Sequence, residues 1–235
     1  MATTKAVDIL DRASIILQDN TNVRFPNDEL LKFFNDAQKE VVLHRPDANM
    51  QNAAFTPVNG SKQTIPTSGL RLIDVVRNVG GYAITQIDRK ILDETLPNWH
   101  NTVQNATKKI EHFVFDPADP KTFYVYPKAI NASDSIEIIY SSAPGEISIT
   151  DANWGSSSTA TGHGGQYISI DDIYANCILD YILYRAYQKD SEFAGNAQRS
   201  MMHYQGFANA LGVKTQVDSV ITPSPSNPDM NAGRR

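Results

Sequence analysis

The sequence has little of what several protein classes depend on. Only one of its 235 residues, Cys177, is a cysteine, which excludes a disulfide framework and any zinc site built from several cysteines. Lys and Arg number 21 against 26 Asp and Glu, so the net charge is −5. A protein that holds nucleic acid through its phosphates needs the opposite balance. No apolar run approaches the ~20 residues that cross a bilayer, so we expect no membrane partner.

The N-terminal apolar stretch is interrupted by Asp8 and Asp11, so we expect no signal peptide and a protein made in the cytoplasm. Hydrophobic residues make up 41% of the chain, enough for a real core. The length allows one large domain or two small ones.

Helical patterns occupy both ends of the sequence. At the N-terminus one helix carries a stripe of Ala6, Leu10, Ala13 and Leu17. A second helix begins near Asn27 and ends before Arg45 and Pro46, because a proline disfavours helical geometry in the preceding residue.

Two further helices are predicted near the C-terminus. The first starts at Ser169 and places Ile173, Cys177, Tyr181 and Tyr184 along one face. The second follows Asp190, and Gly212 is expected to end it. Its predicted core stripe is Phe193, Ala197, Met201, Tyr204, Ala208 and Leu211.

The middle of the chain reads as short strands separated by turns. Residues 111–127 predict an antiparallel hairpin around an Asp/Pro-rich turn, and residues 136–140 predict the next strand. Residues 70–79 and 82–87 are also strand-like, and residues 88–98 suggest a short helix.

This order predicts an α+β fold, a four-helix bundle of two N-terminal and two C-terminal helices with an inserted antiparallel β-rich subdomain and an extended C-terminal arm. The expected limits are 1–52 with 166–212 for the bundle, 53–165 for the β subdomain and 213–235 for the tail.

Catalytic and ligand-binding patterns are weak. Cys177 lies on an apolar face and is better explained as a core residue than as a nucleophile. No histidine pair has the spacing of a helical metal site, and neither a metal nor a cofactor is expected.

The only candidates for a catalytic carboxylic acid in the β subdomain are Glu111, Glu137 and Glu146. The aromatic residues of the hairpin could stack on a ligand, but packing within a sheet is the simpler explanation.

The third helix has more tyrosines than one buried face can use. Tyrosine and arginine suit contacts that are half apolar and half polar. We therefore take part of this helix as a subunit interface, made by Tyr174, Tyr184, Arg185 and Tyr187.

Three segments carry a family resemblance. The string YILYRAYQKDSEFAGNA (181–197), followed by residues 203–207 and 211–212, resembles the C-terminal helices of phage adaptor proteins, the head-to-tail connectors of tailed bacteriophages. Two earlier segments are similar to the same family. The hairpin FDPADPKTFYVYP (115–127) resembles the middle section of these proteins, and the helix start FPNDEL (25–30) fits their opening pair of helices.

The resemblance implies a structural virion protein of the neck or tail and not an enzyme. Its members form a ring, usually of twelve copies, between the portal protein and the tail nozzle or tube, and the genome DNA passes through the lumen. A C-terminal arm that reaches along the portal would here be anchored by Val217, Val220, Ile221 and Pro223, apolar residues without a local core. Two alternatives remain: a virion-associated peptidoglycan-degrading enzyme, and a glycan- or protein-binding module that uses the aromatic hairpin.

Overall fold

The computed structural model describes residues 2–101, 109–130, 135–148, 166–190, 192–193 and 195–221, with side chains up to residue 212. Within these ranges the chain forms five α-helices and two β-sheets, so the predicted α+β class is confirmed.

Two helices come first along the chain, the strands follow with one short helix among them, and two further helices come last. The helices are α1 (Ala6–Ile16), α2 (Asn27–His44), α3 (Arg89–Thr95), α4 (Ala175–Lys189) and α5 (Asn196–Ile221). The strands are β1 (Met50–Phe55), β2 (Gly60–Thr64), β3 (Gly69–Asn78), β4 (Thr85–Gln86), β5 (His112–Phe115), β6 (Thr122–Ala129) and β7 (Ile136–Ser142).

The chain divides into two compact units. The one we call the β unit holds the strands, α3 and the second part of α2, from Gln38 onward. The one we call the helical unit holds α1, the first part of α2 up to Ala37, α4 and α5. The domain limits expected from the sequence stay a prediction.

Helix α4 is buried around most of its circumference. Its buried side chains are Cys177, Ile178, Leu179, Tyr181, Ile182, Leu183, Ala186 and Tyr187. Such a helix needs neighbours on all sides. Helices α1 and α5 both pack on α4, and α2 reaches it through the ion pair of Glu29 with Lys189. The four expected helices are therefore present, while their arrangement as a four-helix bundle stays a prediction.

Helix α4 begins later than the sequence suggests. Its first turn is a 3-10 helix, Asp172–Tyr174, and Ser169 does not cap it. Instead the Ser169 hydroxyl donates to the carbonyl of Gly145 at 2.8 Å, within the β unit.

Helix α5 continues nine residues past Gly212, to Ile221. The expectation that Gly212 ends the helix and that an extended tail begins at residue 213 is wrong for residues 213–221. An interior glycine costs a helix only about 1 kcal/mol relative to alanine, and no second glycine or proline follows before Pro223. A glycine with positive φ lies instead at the other end of the helix: Gly195, in the turn between α4 and α5, has a φ of +90°.

The β unit contains two sheets, one with the strand order β1-β7-β3 and one with the order β2-β6-β5-β4. The predicted hairpin is confirmed: β5 and β6 pair antiparallel, with His112 opposite Tyr126 and Phe115 opposite Phe123. The predicted strand at residues 136–140 is confirmed as β7, which lies at the centre of the other sheet.

The expectation of a purely antiparallel β subdomain is wrong at one edge. Strands β4 and β5 pair in parallel, with Thr85 opposite His112. Parallel neighbours require a crossover of a dozen or more residues. The connection from Gln86 to His112 contains α3 and is long enough for one.

The two faces of the hairpin enter different cores, because successive side chains of a strand point to opposite sides. One core contains Phe113 and Val125 with apolar residues of β3 and β7. The other contains Val114 and Tyr126 with Leu92 of α3 and Trp99. Trp99 is fully buried, and its indole N–H donates to the Asp93 carboxylate at 2.8 Å.

We expect Trp99→Ala to lower the free energy of unfolding by about 3–5 kcal/mol, because it leaves a cavity beneath the hairpin and removes the partner of Asp93. Urea denaturation of the full chain measures this change. Tyr82→Ala is the matched control: Tyr82 is 69% exposed, so its removal should cost less than about 1 kcal/mol. Equal losses in the two variants would contradict this account of the second core.

Candidate functional site

Two of the four residues expected at a subunit interface are buried within the helical unit. Tyr174 is 3% exposed and Tyr187 is 9% exposed. The Tyr187 ring stacks on the imidazole of His203, with the ring centroids 5.7 Å apart. These two tyrosines offer a second chain little surface, because contacts inside the unit already cover them.

The other two residues remain partly accessible. The ring of Tyr184 lies 5.0 Å from that of Tyr204 on α5. The Arg185 guanidinium lies 5.6 Å from the ring centroid of Phe33 on α2. Both side chains are half-buried, so an interface through Tyr184 and Arg185 stays a prediction.

Helix α5 packs on α4 through both polar and aromatic side chains. The Ser200 hydroxyl donates to the carbonyl of Tyr184 at 3.1 Å, and the Nδ1 atom of His203 lies 3.0 Å from Oδ1 of Asp180. The ring of Phe207, which is 1% exposed, lies 5.3 Å from that of Tyr181.

The apolar stripe expected in the core of α5 is therefore largely wrong. Among the side chains described up to residue 212, the buried residues of the helix are Asn196, Ser200, Phe207 and Leu211, and only the last belongs to the expected stripe. Met201 is 65% exposed, and Phe193 just before the helix is exposed as well. The buried face therefore lies beside the expected stripe, and Ser200 and His203 on that side hydrogen-bond to α4.

The expected portal-binding residues lie at the C-terminal end. Val217, Val220 and Ile221 belong to the last two turns of α5, and Pro223 lies outside the described residues. Positions 217, 220 and 221 have the i, i+3, i+4 spacing of one helix face. Their role in portal binding stays a prediction.

A clasp missed at the sequence level joins the N-terminus to the start of α4. The carboxylate of Asp172 accepts backbone N–H bonds from Thr3 and Thr4 at 2.8–2.9 Å. It also accepts the Thr3 hydroxyl at 2.7 Å. These bonds, above all that from the Thr4 N–H, lower the pKa of Asp172. The sequence alone could not reveal this contact, because Thr4 and Asp172 are 168 residues apart and no local pattern connects them.

The chain was compared with known proteins. A protein-family model described as SU10 adaptor protein matches residues 4–228. The chain belongs to the SU10 adaptor protein family. No curated protein matches it. Family membership makes the chain a structural adaptor of a phage virion, which contacts other head or tail proteins, and the resemblance seen in the sequence is confirmed.

Two of the three candidate acids, Glu137 and Glu146, do not have the raised pKa that the general acid of a peptidoglycan-degrading enzyme needs. A general acid needs a raised pKa. The side chain of Arg77 donates to Glu137 at 2.6 Å and lowers its pKa. Lys39 donates to Glu146 at 2.6 Å and lowers its pKa too. Both carboxylates are thereby held in the ionised form, and Glu111 is exposed.

The remaining chemical candidates are structural. Cys177 is buried, and burial raises the pKa of its thiol, the reverse of what a nucleophilic cysteine needs. Most hairpin aromatics are core residues, since Phe113, Phe123 and Tyr126 are buried. Phe115 and Tyr124 are half-buried and line a cleft of about 590 Å³ beside Asp88 and Asp116.

Among the described residues, no His, Cys, Asp and Glu side chains form a group of three or more that could hold a metal ion. None of the helices formed by these residues combines the length and apolarity needed to cross a bilayer.

We expect Asp172→Asn to lower the melting temperature of this adaptor at neutral pH. The native contacts lower the pKa of Asp172, so its stabilisation is present above the unfolded pKa of about 3.9 and is lost as the pH falls below it. The gap between wild type and variant should therefore narrow in acid. Hydrogen exchange of the Thr3 and Thr4 amides should accelerate in the variant. Asp36→Asn, an exposed carboxylate on α2, is the control; equal melting of wild type and Asp172→Asn at pH 7 would refute the clasp.

Proposed function

We propose that the chain is the head-to-tail adaptor of a tailed phage. Copies of it, twelve by resemblance to the family, form a ring between the portal protein and the tail nozzle or tube. The observation that carries this proposal is the family match over residues 4–228. It spans both units, so the adaptor role is assigned to the whole chain and not to one module.

Three properties of the described residues support the proposal. The candidate acids are ionised and the cysteine is buried, which leaves little support for catalysis. The hairpin aromatics are used mainly as core, which weakens the case for a glycan- or protein-binding platform. The helical unit keeps large apolar side chains in solvent, as expected of a subunit that is completed by assembly.

The genome DNA would pass through the lumen of the ring during ejection. A net charge of −5 suits this role, because an excess of basic residues would bind the DNA phosphates and slow the passage of the DNA. Contact with DNA in this proposal is therefore non-specific and transient.

The C-terminal end of α5 is the proposed portal contact. Helical continuation to Ile221 makes Val217, Val220 and Ile221 a compact apolar face instead of points along an extended arm. Pro223 follows two residues later in the sequence and belongs to the same proposed contact. A helix laid into an apolar groove is a common mode of protein recognition.

We expect the double variant Val217→Asp/Ile221→Asp to fold but to lose portal binding by at least tenfold, because two charges would enter an apolar contact. Binding is measured by co-sedimentation with the portal of the same phage, and circular dichroism checks the fold. Ser219→Asp is the matched control, since position 219 lies on the opposite face of the helix.

Cryo-EM of the wild-type mixture then shows whether a ring has formed on the portal. Portal binding by the double variant at wild-type strength would overturn the assignment of this face. A wild-type chain that ignores the portal would overturn the adaptor function itself.

A further inference from the structure

A cleft in the β unit lies between the start of α3 and the β5–β6 hairpin. Its volume of about 590 Å³ is in the range of ligand-binding pockets. Asp88 lines it at the start of α3, Asp116 and Asp119 line it in the hairpin turn, and Thr122 and Tyr124 line it from β6. We call this space the hairpin cleft.

Negative charge predominates around the hairpin cleft. Among its described lining residues three are aspartates, and Arg89 is the one basic residue. The guanidinium of Arg89 already pairs with Asp93 of α3, with 3.3 Å between Nε and Oδ2. The cleft is therefore suited to a cation and unsuited to a phosphate or a nucleic acid.

Each of the three aspartates keeps acceptor capacity for a ligand. Oδ1 of Asp88 accepts the backbone N–H of Lys90 at 2.9 Å, and Oδ1 of Asp116 accepts that of Ala118 at 2.9 Å. Within the described part of the chain no group donates to their second oxygens or to the carboxylate of Asp119. Because an ionised carboxylate has about four acceptor positions, a ligand with several donors can bind here.

A buried hydroxyl in the same cleft is a second and independent sign of a ligand. Thr122 is 9% exposed, and its side chain makes no hydrogen bond to another described residue. Successive side chains alternate along a strand, so Thr122 shares one face of β6 with Tyr124 and Tyr126, the face that meets α3 and Trp99. Buried polar groups are normally hydrogen-bonded, and a ligand in the cleft would supply the missing partner.

The shape of the site favours a guanidinium group over a metal ion. Among the described residues no three acids lie close enough together to hold a metal ion, so the carboxylates are spread around the cleft. A guanidinium carries five N–H donors in one plane and can reach several separate acceptors. Its flat face also stacks on an aromatic ring, and the half-buried Tyr124 offers one. An ammonium group is a compact point charge and would meet fewer of these groups.

We propose that the hairpin cleft binds an arginine side chain of a partner protein. The carboxylates of Asp88, Asp116 and Asp119 accept its N–H groups, the Tyr124 ring covers one face of the guanidinium, and the Thr122 hydroxyl oxygen accepts a further N–H. The source is a protein segment, because adaptors of this family contact other head or tail proteins. The inference concerns the β unit alone and does not depend on the proposed ring or on the portal contact.

NMR titration of the full chain tests the site without the portal. The probe is the tripeptide glycine–arginine–glycine with blocked ends, added to the 15N-labelled protein at low salt. We expect shift changes centred on the amides of Val114, Thr122 and Tyr124. The same peptide with citrulline in place of arginine has nearly the same shape without the charge, and it should bind at least tenfold more weakly. Equal binding of the two peptides, or unchanged cleft amides, would overturn the inference.

A smaller probe separates a protein segment from a free small molecule as the source. L-argininamide presents the same guanidinium without the flanking peptide groups. The tripeptide should bind several-fold more tightly, because its backbone also contacts the cleft. If L-argininamide binds as tightly as the tripeptide, the assignment to a protein segment is wrong.

Neutralising the acids tests the charge requirement. The triple variant Asp88→Asn/Asp116→Asn/Asp119→Asn keeps the side-chain oxygens that accept the backbone N–H groups at the start of α3 and in the turn, so we expect it to fold, with circular dichroism as the check. Its affinity for the arginine tripeptide should fall at least tenfold. Glu94→Gln, an exposed neutralisation on α3 outside the cleft, is the matched control. Wild-type affinity in the triple variant would overturn the inference.

A conservative change at Thr122 tests the buried hydroxyl. Thr122→Val keeps the size of the side chain and removes only its hydrogen-bonding group. We expect several-fold weaker binding of the arginine tripeptide, because one hydrogen bond to a charged group is lost. Unchanged affinity in this variant would show that the hydroxyl takes no part in binding and would contradict its place in the site.

Discussion

The burial of α4 around most of its circumference is the constraint on which the helical unit depends. A helix with eight buried side chains cannot remain in solvent, so its neighbours must cover it. Tyr174 and Tyr187 are consequently internal, although their number and type suggested an interface between subunits. The two rings that suggested a contact with a neighbouring subunit therefore pack inside the helical unit.

The way in which α5 covers α4 determines what remains outside. Ser200 and His203 hydrogen-bond to α4, and Phe207 and Leu211 are buried on the same side of the helix. Met201 and Tyr204 lie on the neighbouring side and remain exposed. The apolar side chains that α5 leaves in solvent are therefore decided by which of two neighbouring faces meets α4.

Much of the fold could be predicted because local signals determine it. A proline ends α2 at His44, and an Asp/Pro-rich turn sets the β5–β6 hairpin. The buried face of α5 could not be predicted, because the exposed Met201 and Tyr204 lie beside the buried Phe207 and Leu211 and the apolar pattern covers both sets. The contact of His203 with Asp180, which is remote in sequence, lies on the side that is buried.

For the functional surfaces, too, some features follow from the sequence and others depend on contacts between distant residues. The family and the general role of an adaptor follow from sequence strings, since these reflect the whole chain. The location of a contact does not, because it depends on which side of each helix is already covered. The clasp of Asp172 illustrates this limit, as its partners Thr3 and Thr4 lie at the other end of the sequence.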